Sequence, residues 1–416
     1  MQAAHPRTLR ATVLSLLVLG GIVNFLDRSA LSIANTTIRA DLHFSATEIG
    51  ALLSAFSLAY GLAQIPAGWL LDRYGARLVL SAGMMVWSLA QMATGLVSSF
   101  AALVLTRVGL GAGEAPFLPG GVKVIHDWYD VRERGLPMGI LNASTTLGQA
   151  FAPPLLTLML LHYGWRSMFV VIGLLGVVIA LAWYPVYKEN GRERDSESSD
   201  RAAGQSISLP AWRQLFRHRT VWGMMLGFSG VNYTAWLYLA WLPGYLQAAH
   251  HLSLAMTGWF AAIPFLMGSI GMLVNGVIAD KLVRRGANPL RSRKALIVFG
   301  MLCSAGCTLL VTRASSSSGA VAVIGMALFF IHFAGTSAWG LVQVAAPAHL
   351  VGSVGTIQNF CSFLFASVAP VLTGWILDRT HSFHLALIIC SCVTFLGAMA
   401  YIMLVQKPIA EDATDH

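Results

Sequence analysis

Apolar stretches about twenty residues long recur from one end of this chain to the other, and that length of helix crosses the ~30 Å of hydrocarbon in a bilayer. Twelve spans are predicted, near residues 12–37, 47–71, 76–98, 100–122, 135–160, 167–187, 220–247, 254–280, 294–312, 319–343, 351–377 and 383–405. In lipid the backbone must satisfy its own hydrogen bonds, so runs of this length fold as helices. The expected fold class is an all-α membrane protein with twelve transmembrane helices in two six-helix bundles. Composition agrees: 56% of the 416 residues are hydrophobic and only 11% are charged, too few to cover a soluble surface.

The formal charge of +9 is a topology signal. With the amino terminus inside, Arg7, Arg10, Arg73, Arg77, Arg132, Arg134, the Lys188–Arg219 and Lys281–Lys294 groups and Lys407 fall on one side. The opposite loops keep Arg39, Arg166, Arg313 and Arg379. Positive charge concentrates on the cytoplasmic side of membrane proteins, so both termini are expected there, and nucleic acid is not an expected partner. Arg7 and Arg10 ahead of an apolar run imitate a signal peptide. That run continues through Asp27 and Arg28 into a full span without a small-residue cleavage site, and reads as retained. The five cysteines all lie in spans, with no metal-ligand spacing, and read as small apolar residues.

The longest polar stretch separates spans six and seven and divides the chain into 1–188, a linker at 189–219, and 220–416. Within the linker, Trp212, Leu215 and Phe216 alternate with Arg213, Arg217 and Arg219, the composition of a helix lying in the membrane interface. The halves look related. Gly68-Trp-Leu-Leu-Asp72-Arg73 after span two pairs with Gly276-Val-Ile-Ala-Asp280-Lys281 after span eight. Asn142 with Ala152-Pro153 pairs with Asn359 and Ala369-Pro370 at the same spacing. Both pairs give a period of about half the chain, as in transporters built from parallel repeats.

Charges inside spans are the functional signal, because each costs about 2.5–3.5 kcal/mol on insertion scales unless it faces a partner or water. Asp27 and Arg28 interrupt span one; Arg107 and Glu114, seven residues apart, share one face of span four. Gly109, Gly111 and Gly113 keep that helix slim. Asn24 lies one turn before Asp27. An arginine that swings between a carboxylate and an incoming anion would link proton affinity to anion uptake. A static ion pair joining spans one and four is the plainer alternative. Arg28 is the leading anion clamp, because its planar fork suits a carboxylate. Arg107 is assigned to tuning Glu114 or a neighbour. Tyr60 and Gln64 offer a hydroxyl and an amide, and could equally pack helices.

By this threading the second half has no formal charge in its spans. It brings Asn232, Tyr233, Trp236, Tyr238 and Trp241 in span seven, Thr336, Ser337 and Trp339 in span ten, and Gln358 and Asn359 in span eleven, suited to a polyhydroxylated body. Trp241 reads as an interface-belt residue and His332 as a packing residue. After span two, Gly68 would permit close helix packing, Gly75 a tight turn, and Asp72 with Arg73 and Arg77 a cytoplasmic latch. Asp280 is the second-half counterpart of Asp72.

That segment resembles the G-x-L-x-D-R-x-G signature of the major facilitator superfamily, matched at Gly68, Leu70, Asp72, Arg73 and Gly75. The resemblance implies a cavity where two bundles meet and alternating access by rocking. Asn24–Leu31, Tyr60–Trp69, Arg107–Pro116 and Trp236–Leu246 further resemble the anion:cation symporter branch, which includes galactonate, hexuronate, glucarate, tartrate and phthalate carriers. In its sugar-acid members, residues matching Asp27 and Glu114 carry protons and the one matching Arg28 binds the substrate carboxylate. Those matching Tyr60, Trp339 and Asn359 line the site. Galactonate carriers have a glutamine where Thr145 stands and a tyrosine where Phe25 stands, while Pro119–Trp128 looks closer to hexuronate-type members.

The function implied is a proton-coupled symporter, not an enzyme, importing a small organic anion across the bacterial inner membrane. A sugar acid such as a hexuronate, aldonate or aldarate is the expected cargo. Tartrate, phthalate or another aromatic acid is the alternative cargo, and proton-driven metabolite or drug export the alternative direction. Protons are the coupling ion, no other cofactor is expected, and the chain is expected to work as a monomer in lipid.

Overall fold

The computed structural model describes residues 7–129, 133–188, 215–347 and 350–409. The described chain is helical: α1 (Arg7–Ile33), α2 (Asn35–Leu42), α3 (Ala46–Leu96), α4 (Phe100–Glu114), α5 (Phe117–Trp128), α6 (Gly135–Val186), α7 (Arg219–His250), α8 (Leu254–Arg284), α9 (Pro289–Val311), α10 (Ser317–Ala345), α11 (Val351–Ala366), α12 (Val368–Thr380) and α13 (His384–Leu404). No strand occurs among the described residues. Arg132 and linker residues 189–214, with Trp212 and Arg213, lie outside them.

Among the described residues, nine helical stretches are long and apolar enough to cross a membrane. Two of them, α3 with 51 residues and α6 with 52, are too long for one crossing. Each folds back at a glycine: Gly75 has φ 78° and ψ 167°, Gly164 φ 75° and ψ 166°, a conformation that a side chain resists. Each therefore makes two spans. The 32-residue α7, whose apolar run carries Asn232, Tyr233, Thr234 and Tyr238, completes the twelve. Large apolar side chains such as Leu62, Leu105, Leu181 and Leu273 stay exposed on the spans, where lipid replaces water as their solvent.

Local chemistry sets the helix starts. Ser45 and Glu48 form a reciprocal capping box at α3, with Glu48 N donating to Ser45 Oγ at 3.1 Å and Ser45 N to Glu48 Oε2 at 2.9 Å. Ser99 caps α4, Asn288 caps α9 ahead of Pro289, and Ser316 caps α10.

The chain forms two compact units. The first comprises Met1–Glu193 and Leu242–Ala262; the second comprises Arg194–Trp241 and Ile263–His416. Inside the first, α3 packs along both α4 and α6, and α6 also packs on α1. Close approach of α4 to α3 requires the glycines: a Cβ at Gly111 would sit 2.5 Å from the Phe56 carbonyl oxygen and 2.9 Å from the Tyr60 nitrogen. One at Gly113 would sit 2.7 Å from the Trp87 nitrogen. Inside the second, α9 packs on α10 and α13.

Candidate functional site

In the first unit, Arg28 of α1 donates from Nε to Glu114 Oε2 at 2.8 Å, and the side chains are only 7% and 0% exposed. The residues are 86 apart in sequence. Gly111, one turn before Glu114, lets α3 come close enough to place Phe56 and Tyr60 at the same guanidinium. Their ring centroids lie 5.5 and 4.5 Å from its carbon, with Phe25 of α1 at 5.2 Å. Tyr60 also hydrogen-bonds Arg28. Glu114 Oε1 has no hydrogen-bond partner.

Asp27 is fully buried, and neither carboxylate oxygen has a hydrogen-bond partner. Asn24 is buried beside this cluster, where its side chain interacts with Glu114. Two buried carboxyls in one site thus have unlike surroundings, one hydrogen-bonded to a guanidinium and one with cationic charge nearby but no hydrogen-bond partner. An isolated ionised carboxylate in a low-dielectric interior is too costly to keep. Such a site can exchange charge only by moving a proton or a cation.

Arg107 acts on Glu114 and Asp27 through its charge and not through a direct bond. It is buried, and its Nη2 donates to Gln91 Oε1 at 3.0 Å and to Thr94 Oγ1. Its guanidinium carbon lies 5.6 Å from the Phe169 ring centroid. It feels the charges of Asp27 and Glu114 but makes an ion pair with neither. Arg107 and Glu114 do share a buried helix, yet the helix rotation gives Glu114 to Arg28. Gln91 and Thr94, polar residues in the middle of span three, went unassigned; their position in an apolar run was the available signal.

The other candidates in this unit lie as follows. Gln64 is half-buried on α3. Thr145 donates back to Asn142 O at 2.7 Å within α6. A Cβ at Gly68 meets nothing within 4 Å, so the close packing expected there is absent. Asp72 is exposed. Arg73 lies over the Trp69 and Tyr74 rings at 5.1 and 5.5 Å, and Arg77 donates to the Tyr184 carbonyl at 2.9 Å. Gly75 makes the expected turn.

In the second unit, Ser337 is fully buried and donates to Asn275 Oδ1 at 2.9 Å, which corrects its reading as a lining residue. Thr336 donates to His332 O at 3.1 Å. His332 bonds Leu328 O at 3.0 Å and packs where Gly268 leaves room. Trp241 is buried and donates to Pro370 O at 3.1 Å, so it is a core residue and not part of an interface belt. Trp236 meets Phe363 edge-on at 5.8 Å; Tyr233 is buried. Trp339 is 45% exposed against Phe228, and Asn359 is half-buried, so these two keep an open face. Asn232 donates to Ser362 Oγ at 2.6 Å. Asp280 is exposed at the end of α8. Arg293, on the second turn of α9, presses its guanidinium on Gly340 of α10.

The sequence profile described as the Major Facilitator Superfamily matches residues 17–370. The chain belongs to this superfamily. It is 55% identical to the "Probable L-galactonate transporter" of Escherichia coli K12 over 98% of this chain and 92% of that protein. Identity is 31% with the "Hexuronate transporter" of Bacillus subtilis 168, over 96% of each chain. With the "D-galactonate transporter" of Escherichia coli O6:H1 it is 30%, over 97% of each. Identity over the whole chain is thus far higher to a protein named for L-galactonate than to one named for hexuronate. Among solved structures, an inward-facing, occupied bacterial homolog of the lysosomal transporter Spinster aligns over 96% of this chain and 97% of its own. Its TM-score is 0.81 at 19% identity, a likeness of fold. The protein is thus a multi-pass membrane transporter of the major facilitator fold.

Proposed function

We propose that this transporter imports a sugar acid across the bacterial inner membrane by alternating access, coupled to proton influx, with both termini cytoplasmic. An aldonate, L-galactonate first, is the leading substrate. In the first unit Arg28 binds the carboxylate, Glu114 and Asp27 carry protons and Tyr60 contacts the polyol body; in the second, Trp339 and Asn359 are the candidate substrate contacts. The coordinating observation is the buried Arg28–Glu114 bond at 2.8 Å beside an unpartnered Asp27.

The mechanism follows from competition for one guanidinium. A substrate carboxylate that takes Arg28 strips Glu114 of its only cation at hydrogen-bond distance. In a low-dielectric site that carboxylate then takes a proton, so cargo and H⁺ load together. Release on the far side reverses both. The 55% identity to a protein named for L-galactonate supports the substrate, and a hexuronate is the second reading, on 31% identity.

The test is uptake into proteoliposomes with an imposed pH gradient, against aldonates, hexuronates, aldarates, tartrate and aromatic acids. Accumulation of L-galactonate that collapses with the gradient is expected. Accumulation of no sugar acid, or accumulation indifferent to the gradient, would refute the proposal.

A further inference from the structure

Resting on the sugar-acid reading, a second feature of Arg28 bears on which acids are accepted. Three aromatic rings surround its guanidinium carbon, Tyr60 at 4.5 Å, Phe25 at 5.2 Å and Phe56 at 5.5 Å, while Glu114 occupies Nε. Rings at these distances attract the cation and fix its plane. They also fill the space from which a second anion could approach. Phe56 owes its place to Gly111, since any Cβ there would strike the Phe56 carbonyl oxygen.

We propose that Phe25, Phe56 and Tyr60 form an aromatic box that orients Arg28 to receive a single carboxylate, so that the transporter selects sugar monoacids over diacids. Phe56 is a positioning residue in this account: it acts on substrate only through Arg28. A diacid brings a second charge that needs its own cation. Besides Arg28, the arginine and lysine side chains on α4 and α5, the helices flanking Glu114 in sequence, are Arg107 and Lys123. Arg107 is tied to Gln91 and Thr94. Lys123 lies nine residues past Glu114, roughly 13 Å along the helical path. Neither is offered beside the box.

The experiment measures L-galactonate uptake in proteoliposomes, with galactarate as competitor, for wild type, Phe56→Leu, Phe56→Tyr, Phe25→Leu and Arg28→Ala. Each protein is first checked for a monodisperse elution profile. Wild type is expected to prefer galactonate by at least about tenfold. Phe56→Leu keeps apolar volume but loses the ring; its KM rises about tenfold at unchanged maximal rate, and the preference narrows. Phe56→Tyr restores both. Phe25→Leu reports on the same box if Phe56→Leu does not fold. Equal competition by galactarate in wild type would overturn the proposal. So would wild-type KM and preference in the folded leucine variants, or failure of Phe56→Tyr to restore them. If these occur while Arg28→Ala still loses binding, the box is wrong and the sugar-acid reading stands. If wild type takes up neither acid, that reading fails first.

Discussion

The two units hold opposite kinds of polar chemistry. The first buries Asp27, Arg28, Arg107 and Glu114 within its spans. The second buries amides and hydroxyls, Asn275, Ser337, Gln358, Thr234 and Thr394, and leaves Trp339 half-exposed. Charged groups can trade protons and clamp an anion; neutral ones can shape a pocket and read hydroxyls at far lower desolvation cost. The contrast teaches that energy coupling and cargo recognition need not be spread evenly over related halves. On the proposed mechanism, proton exchange falls to the unit that keeps formal charges in its spans.

Arg28→Ala against Trp339→Ala tests that contrast with the largest expected effect. By calorimetry or substrate-protected melting, Arg28→Ala should lose at least about a hundredfold in substrate affinity, because a buried charge-assisted pair is broken. Trp339→Ala should lose about tenfold, the worth of one aromatic face. Equal losses would erase the division of labour. Next in size, Asp27→Asn and Glu114→Gln should abolish pH-driven accumulation yet retain substrate exchange, read by counterflow. A second-unit variant, Asn359→Ala, should keep accumulation and raise KM several-fold. Smallest is Ser337→Ala. Its hydroxyl bonds Asn275 away from any open face, so KM should stay at the wild-type value while thermal stability drops by about 1 kcal/mol.

Spans and their turns were legible in the sequence because lipid imposes a length and an apolar composition that no other solvent does. The predicted 76–98 and 167–187 begin close to Gly75 and Gly164, where α3 and α6 fold back. The charge positions also named Asp27, Arg28 and Glu114. Their pairing was not legible: Arg28 and Arg107 were both plausible partners for Glu114, and helix rotation across 86 residues of separation decided it. Phe25 and Phe56 gave no signal, since an aromatic in an apolar run looks like any other core residue. Ser337 and Trp241 failed for a related reason. When nearly every residue is apolar, hydrophobic periodicity no longer marks the inward face.

The central claim is that substrate takes Arg28 from Glu114 and that Glu114 then takes a proton. The direct measurement is proton uptake on mixing purified protein with L-galactonate in weakly buffered detergent solution, read with a pH indicator. The account predicts net uptake by wild type, weaker binding as pH rises, and loss of the proton signal in Glu114→Gln with binding retained. Substrate binding without proton uptake, or an equal signal from Glu114→Gln, would contradict it.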